Sequence, residues 1–260
     1  MADPMVCAVM LVNGRAAMVR AAIESFRAQT YPHRRLLVWD TSAQPILKLS
    51  ERWWDSEDVW YERALGARTI GELRNKANRI AAHDQFCRAD IICHFDSDDW
   101  SHPRRIEEQV ALMQATGKQC VGYRELLFWD QREELRDAAA PWTPRNEAWI
   151  YRNHQTNYAC GASLMYRGEL WEQQPFPDAP HEDQAWWLTP LVSGNCVGIT
   201  SLAGFGVGAP LPPGADGPRM VCRIHGGNTE AYDRAMMLRV KDVFQRAPEF
   251  DVYAGKVMAL

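Results

Sequence analysis

Short apolar runs that alternate with amphipathic helical patterns constrain the fold of this chain more than any other feature. Three such runs occupy residues 6–12, 36–39 and 91–95, and a polar or acidic residue follows each of them. A continuous apolar run of this length is typical of a strand buried on both faces of a parallel sheet. The predicted fold class is therefore α/β: a Rossmann-like, mostly parallel, twisted sheet flanked by helices. Such sheets bind ligands at the carboxyl ends of their strands.

Helical patterns separate these runs. Apolar residues at three- and four-residue spacing predict helices over residues 19–26, 70–81 and 106–113. Asn13 is expected to cap the first helix, and Thr69 with Glu72 matches a capping box at the start of the second. Pro103 suits the first turn of the third helix.

The second half of the sequence, beyond a soft boundary near Arg124, is less regular. We expect a loop over residues 131–147, strands over 158–166 and 219–224, and a short helix over 185–191. The last helix is expected to be amphipathic, and its apolar side would comprise Met236, Met237, Val240 and Phe244. The stretch at 204–218 is rich in glycine and proline, so it is a candidate lid over a site.

Composition and charge argue against several classes of protein. The 260 residues are 47% hydrophobic and 24% charged, as in globular proteins, and the net charge of -4 disfavours binding of nucleic acid through its phosphates. The 7 cysteines show no C-x-x-C spacing and are expected to be reduced, buried thiols. The 11 tryptophans are expected to pack in the core, with stacking on a sugar or base as the alternative. No apolar run approaches the roughly 20 residues of a transmembrane helix, and we expect a soluble cytoplasmic protein.

The strongest chemical signal is the acidic run Asp96-Ser97-Asp98-Asp99, directly after the third apolar run. Three carboxylates so close together repel one another, and burying them is costly unless a cation is present. Hard divalent ions such as Mg²⁺ and Mn²⁺ take oxygen ligands and leave positions open for substrate phosphates. A solvated acidic turn is the alternative. Because the run stands at the end of a predicted buried strand, we favour a metal site.

Three further positions could carry chemistry, and each has a purely structural alternative. The acids Glu182 and Asp183 either stabilise the amino end of a helix or supply a general base. His225, which two glycines follow, is either a metal ligand or a structural hydrogen-bonding group. Arg74 lies off the apolar face of its predicted helix, where it could contact a nucleotide or solvent.

Several common catalytic motifs are absent from the sequence. It contains no G-x-x-x-x-G-K-[ST] phosphate loop, no G-x-S-x-G elbow and no H-E-x-x-H motif. The glycines at 204, 206 and 208 lack the spacing of a dinucleotide site.

Taken in order, these motifs resemble those of family 2 glycosyltransferases of the GT-A fold, from about residue 6 to residue 229. The matching segments lie at 12–15, 29–32, 40, 73–77, 95–103, 160–163, 182–187 and 223–229. The order and spacing of the segments make the resemblance specific. The chain departs from the family pattern in its sparse acidic turn after Asp40 and in lacking the Q-x-x-R-W motif of processive synthases.

The resemblance implies a single GT-A domain over residues 1–260, in which residues 1–123 bind the nucleotide sugar and residues 124–260 form the acceptor and catalytic half. It implies donor contacts from Val12, Asn13, Arg15, Asp40, Arg74, Asp96 and Gly161. It implies that Mn²⁺ or Mg²⁺ is held by Asp98, together with Asp96, Asp99 and His225. It also implies that Asp183 is the catalytic base and that Glu182 assists it.

The reaction implied by the resemblance is a metal-dependent, inverting, non-processive transfer from a nucleotide-sugar donor, expected to be a UDP-sugar, to a hydroxyl-bearing acceptor. A saccharide is the favoured acceptor, and a modified nucleic-acid base is an alternative. Two other functions stay open at this point. A metal-dependent nucleotidyltransferase can share the fold and the carboxylates, and a non-catalytic binding module could keep the pocket without turnover.

Overall fold

A computed structural model describes residues 3–46, 57–64, 69–134, 143–155, 157–179, 181–202, 217–225, 237 and 243–259. The strands are β1 (Val6–Val12), β2 (Arg34–Asp40), β3 (Val59–Arg63), β4 (Ile91–His94), β5 (Trp100–Ser101), β6 (Cys120–Asp130), β7 (Glu133–Glu134), β8 (Thr143–Pro144), β9 (Glu147–Arg152), β10 (Met165–Arg167), β11 (Cys196–Thr200), β12 (Met220–Ile224) and β13 (Phe244–Arg246). The α-helices are α1 (Ala16–Arg27), α2 (Ile70–His83), α3 (Arg105–Thr116), α4 (Gly168–Gln173), α5 (Glu182–Trp187), α6 (Pro190–Asn195) and α7 (Asp251–Met258). Short 3₁₀ helices occupy Gly161–Ser163 and Pro248–Phe250.

One 11-stranded sheet organises the part of the chain that the structure describes, with the path β13-β9-β6-β10-β4-β1-β2-β3. Strands β4, β1, β2 and β3 are parallel, and for β4, β1 and β2 this was predicted from the apolar runs. β10 is antiparallel to both β4 and β6, so the sheet is mixed beyond β4. Since β6 and β12 are parallel to each other and share the direction of β4, their carboxyl ends lie at the same edge of the sheet.

The long strand β6 joins the two halves of the sheet. Its first residues pair with β10 on one side and β11 on the other, and its last residues pair with β9 and β12. Arg124, where we divided the sequence, lies within this strand. The two halves therefore share one continuous element.

The apolar side chains of β1 point alternately to the two faces of the sheet. Both faces are therefore apolar, and helices cover both of them. Val6, Ala8 and Met10 pack with α1 and α3 on one face. Cys7 and Val9 pack with α2, α4, α5 and α6 on the other. The central strands are therefore buried on both sides, as their uninterrupted apolar sequence predicts.

The capping patterns in the sequence predicted the start of one helix correctly and the start of another wrongly. The capping box is confirmed, because Thr69 Oγ1 accepts a hydrogen bond from the backbone N–H of Glu72. The prediction that Asn13 caps α1 is wrong. The N-cap is Arg15, in the left-handed conformation with φ of 61°, and its side chain makes no capping bond.

The irregular second half accounts for most of the errors. Residues 158–166 form a 3₁₀ turn followed by the short strand β10, rather than one strand. Phe244 belongs to β13, which pairs with β9, so the prediction that Phe244 lies in the last amphipathic helix is wrong. Met237 is helical and buried, whereas Met236 and Val240 lie outside the described residues. β3 had no predicted counterpart.

All seven cysteines are free thiols, as predicted, and Cys160 alone among them is not buried. Trp186 and Trp187 are buried in the core, which supports the packing interpretation for this pair. In the described ranges, no helix has both the length and the apolar character needed to cross a membrane.

Candidate active site

The acidic run and the late histidine meet at the edge of the sheet where β4 and β12 end. Residues 95–99 follow β4, and β5 then pairs antiparallel with β12, which brings the two chain segments side by side. As a result, His225 Nε2 lies 2.8 Å from Asp98 Oδ2 although 127 positions separate them in the sequence. Both side chains are largely buried, with 11% and 14% of their surfaces exposed.

Arg15 approaches the same carboxylate from the end of β1. Its NH2 atom lies 3.8 Å from Asp98 Oδ2. The left-handed backbone of Gly14 and Arg15 turns the chain sharply between β1 and α1, which aims the Arg15 side chain at the acidic run. Of the predicted donor contacts in this turn, Val12 is buried and Asn13 is exposed.

The other two carboxylates of the run differ in their surroundings. Burial and the nearby charge of Asp98 raise the pKa of Asp96 to about 6, against the lowering effect of Arg74 and Arg105. Asp99 faces β12, where its Oδ1 accepts a hydrogen bond of 2.9 Å from the backbone N–H of Arg223. Burial and the charges of Asp98 and Asp96 raise its pKa as well. Asp99 is therefore held by β12, whereas Asp98 faces His225.

Arg223 fixes the geometry of this turn, a role that the sequence did not reveal. Its Nε donates to the carbonyl oxygen of Asp98 at 3.2 Å, and its NH2 donates to the carbonyl oxygen of Met258, near the end of α7, at 3.0 Å. A third donor, NH1, reaches the side chain of Gln131. The guanidinium thus ties the acidic turn to β6 and to α7.

Arg74 and Glu182 form a buried ion pair between α2 and α5. Arg74 Nε donates to Glu182 Oε1 at 2.7 Å, and the side chains are 9% and 6% exposed. The charges of Asp96, Glu182 and Asp183 together raise the pKa of Arg74, although burial opposes this. Its NH1 is buried and has no hydrogen-bond partner among the described residues. Glu182 is therefore engaged by Arg74 rather than free to act as a base.

Asp183 lies next to Gly161, which explains why a glycine is needed there. A Cβ atom built on Gly161 would overlap Asp183 Oδ2 and would lie 2.9 Å from Asp183 Cβ. Burial raises the pKa of Asp183, and the neighbouring charge of Glu182 raises it further, while Arg74 lowers it. A partly buried carboxylate with a raised pKa has the properties of a general base.

A second feature that the sequence did not predict is the environment of His94, the last residue of β4. It is fully buried, and its Nδ1 lies 2.7 Å from the carbonyl oxygen of Gly161. Its Nε2 lies 3.1 Å from the hydroxyl of Tyr166. A histidine inside an otherwise apolar run was the one available signal for this contact.

The carboxylate of Asp40, a predicted donor contact, is occupied by partners within the protein. It is fully buried, and its carboxylate accepts hydrogen bonds from the backbone N–H groups of Ser42 and Ile46 and from the Tyr61 hydroxyl. These contacts give Asp40 a structural role in closing the turn after β2.

Asp98 and His225 together offer two ligand types that suit a divalent cation, since carboxylate oxygens and an imidazole nitrogen are suitable ligands for Mn²⁺. Within the described ranges, no group of three or more His, Cys, Asp or Glu side chains is placed so that it could hold a metal ion. Cations that bind substrate phosphates commonly take only one or two protein carboxylates, so an incomplete protein shell is compatible with that use.

Two segments with predicted roles lie outside the described residues. These are most of the candidate lid, at 203–216, and the residues that follow His225, at 226–229.

Comparison with known proteins identifies the fold and the family. The family model described as glycosyl transferase family 2 matches residues 7–173, which is more than half of the chain. No curated protein matches the sequence.

Solved structures of glycosyltransferases share the fold at low sequence identity. TarS 1-349 of S. aureus in complex with UDP-GlcNAc superposes with a TM-score of 0.58 at 13% identity, covering 98% of this chain and 70% of that one. The mannosyltransferase PcManGT from Pyrobaculum calidifontis, in complex with GDP-Man and Mn2+, gives 0.57 at 14% identity, covering 100% and 71%. Against other TarS structures the chain spans only 60% and 37% of their lengths. The predicted GT-A fold is confirmed.

Proposed function

The chain belongs to glycosyl transferase family 2, and from that premise we propose that it moves a sugar from a nucleoside diphosphate sugar to an acceptor hydroxyl. The transfer we propose depends on a divalent cation, inverts the configuration at the anomeric carbon and adds one sugar at a time. The expected donor is a UDP-sugar and the expected acceptor is a saccharide.

The contact between Asp98 and His225 carries this proposal. Two potential cation ligands from distant parts of the sequence meet at 2.8 Å at the carboxyl edge of a parallel sheet, where ligands of such folds bind. When bound there, Mn²⁺ or Mg²⁺ would neutralise negative charge on the diphosphate of the donor. The nucleotide sugars and the Mn2+ in the two complexes of similar fold support the same assignment.

The basic side chains of the pocket would bind and orient the donor. Arg15 lies within 3.8 Å of Asp98, so its guanidinium is suited to contact the diphosphate beside the cation. The unpartnered NH1 of Arg74 is a second donor for a diphosphate or ribose oxygen. Glu182 would hold Arg74 in place through its ion pair, which replaces the assisting role that the resemblance implied for it.

Asp183 would act as the base in this reaction. In an inverting transfer the acceptor hydroxyl attacks the anomeric carbon directly, and a carboxylate removes the hydroxyl proton. The raised pKa of Asp183 makes its carboxylate a stronger base, which favours removal of the hydroxyl proton. Gly161 would leave the space that this carboxylate occupies.

The test is an assay of nucleoside diphosphate release with a panel of UDP-, GDP- and dTDP-sugars, Mn²⁺ and saccharide acceptors. The variant Asp183→Asn is expected to bind the donor with unchanged affinity and to lose transfer by about 100-fold or more. The matched control is Asp178→Asn, because Asp178 is exposed and lies in the connection just before α5, the helix that contains Asp183.

Other outcomes would overturn the proposal. Release of pyrophosphate would identify a nucleotidyltransferase, and binding of donors without turnover would identify a binding module. Equal loss of donor binding and transfer in Asp183→Asn would contradict its assignment as the base.

A further inference from the structure

A chain of hydrogen bonds runs beneath the proposed base and ends on Gly161. Asn78 Nδ2 of α2 lies 2.8 Å from the Tyr166 hydroxyl of β10, which lies 3.1 Å from His94 Nε2. His94 Nδ1 lies 2.7 Å from the carbonyl oxygen of Gly161. Asn78, His94 and Tyr166 are completely buried, so water does not compete for these contacts.

The acceptor at Gly161 determines which ring nitrogen of His94 donates. A neutral imidazole carries a single ring proton, so one nitrogen donates and the other accepts. The carbonyl of Gly161 can only accept, so His94 Nδ1 carries the proton and Nε2 is the acceptor. Tyr166 must then donate its hydroxyl proton to Nε2 and accept from the Asn78 amide.

This arrangement bears on Asp183 through Gly161. The carbonyl of Gly161 is held by His94, and its Cα faces the Asp183 carboxylate so closely that a Cβ atom would overlap it. Any rotation of the Gly161 peptide would therefore change the space in which Asp183 sits. Asn78 also stands one turn after Arg74 on α2, so the same chain of bonds joins the Arg74 helix to the position of Asp183.

We propose that His94 is a positioning residue: its Nδ1–H, backed by Tyr166 and Asn78, holds the Gly161 peptide and thereby orients Asp183 to accept the proton of the acceptor hydroxyl. His94 does not touch the reacting atoms. The inference rests on the proposed function in one respect, the role of Asp183 as base, but the hydrogen-bond chain and its effect on Asp183 can be measured without turnover.

The test uses three substitutions and one control. His94→Leu removes the donor to Gly161, whereas His94→Asn keeps an amide donor close to the position of Nδ1. Tyr166→Phe removes only the hydroxyl that fixes the tautomer. Tyr123→Phe is the matched control, because it deletes another buried tyrosine hydroxyl that has no hydrogen-bond partner among the described residues.

Two readouts separate positioning from general loss of structure. The first is steady-state kinetics: His94→Leu is expected to lower kcat by up to about 100-fold with little change in the donor KM, since a small misplacement of a catalytic group has effects of this size. Tyr166→Phe should show a smaller loss of kcat, and His94→Asn should recover most of the rate. The second readout is NMR of protein with labelled aspartate carboxyls and histidine nitrogens.

In the NMR experiment the wild-type His94 should give the signals of a neutral ring protonated on Nδ1. The titration of the Asp183 carboxyl should shift in His94→Leu and return in His94→Asn. Folded His94→Leu or Tyr166→Phe protein with wild-type kcat and an unchanged Asp183 titration would overturn the inference, as would equal losses in Tyr166→Phe and Tyr123→Phe. If the wild type transferred no sugar from any donor, the proposed function would fail, and the Asp183 titration alone would still decide the role of His94.

Discussion

Arg74 and Glu182, which belong to different halves of the sequence, form an ion pair of 2.7 Å in the interior of the protein. Each would be a costly buried charge without the other. The pair therefore links α2 to α5, the helix that carries Asp183.

Removing one partner of this pair is expected to destabilise the fold. Glu182→Ala leaves the Arg74 charge buried without its closest partner, which should lower the free energy of unfolding by about 3 kcal/mol. Glu182→Gln keeps a hydrogen-bond acceptor at the same place and should lose less. Denaturant unfolding of both variants measures the difference. Equal stability of Glu182→Ala and wild type would show that Asp96 and Asp183 suffice to balance Arg74.

As the pH is lowered, activity should begin to fall at a higher pH than it would if the catalytic base were an exposed aspartate. Asp183 must be deprotonated to accept a proton, and burial with the charge of Glu182 raises its pKa. Cys160 and Tyr158 also face this carboxyl and are neutral in this range, because burial raises the pKa of both. As the pH drops through the raised pKa of Asp183, kcat should decline.

The substitution Glu182→Gln tests the cause of that pH dependence. It removes a like charge beside Asp183 and frees the positive charge of Arg74, and both effects lower the pKa of Asp183. The acid limb of the kcat profile, measured at saturating donor, should therefore move to lower pH. A limb that stayed in place or moved upward would mean that Asp183 is not the titrating base.

A methyl group at position 161 should block catalysis without unfolding the protein. In Gly161→Ala the new Cβ would overlap the Asp183 carboxylate, which must move away. Transfer should drop by about 100-fold, the effect of displacing a catalytic group by roughly 1 Å, while donor binding stays intact. Gly194→Ala is the control, since a Cβ there would meet no atom within 4 Å. Similar kinetics in Gly161→Ala and Gly194→Ala would show that Gly161 and Asp183 do not lie as close together as the structure places them.

Loss of Asp98 should remove metal binding and activity together. Asp98 faces His225 at 2.8 Å, and its replacement by alanine deletes the carboxylate that we assign as the direct ligand. Mn²⁺ affinity of Asp98→Ala, followed by electron paramagnetic resonance after treatment with chelator, should fall at least about tenfold. Chelator alone should inactivate the wild type, and added Mn²⁺ should restore it. Metal-dependent transfer by Asp98→Ala would rule out this assignment.

The sequence predicted the parts of the fold that depend on local patterns. The buried strand β1 and the capping box of Thr69 follow from apolar runs and from short-range hydrogen bonds, and both are confirmed. β10 could not be predicted in this way, because a three-residue strand is too short to show a period and depends on its neighbours β4 and β6.

The sequence predicted residues of the site only where a chemically informative side chain stands at an informative position, such as the end of a predicted strand. Acids at the end of an apolar run marked Asp96 and Asp98, whereas nothing near Arg223 or His94 in the sequence marks their partners. Three of those partners are the backbone carbonyls of Asp98, Met258 and Gly161, and every residue has a carbonyl. Asp40 shows that an acid at the end of a strand can also be engaged by its own turn, so its predicted contact with the donor stays a prediction.

The pairing of β6 on both edges has a consequence for synthesis of the chain. All four of its neighbours, β9, β10, β11 and β12, are translated after it. At general elongation rates of about 5 to 20 residues per second, the ribosome needs roughly 5 to 20 s to pass from the end of β6 to the end of β12. During that time an apolar nascent strand has unpaired edges, so polypeptides released early are expected to aggregate, and chaperones should bind this strand.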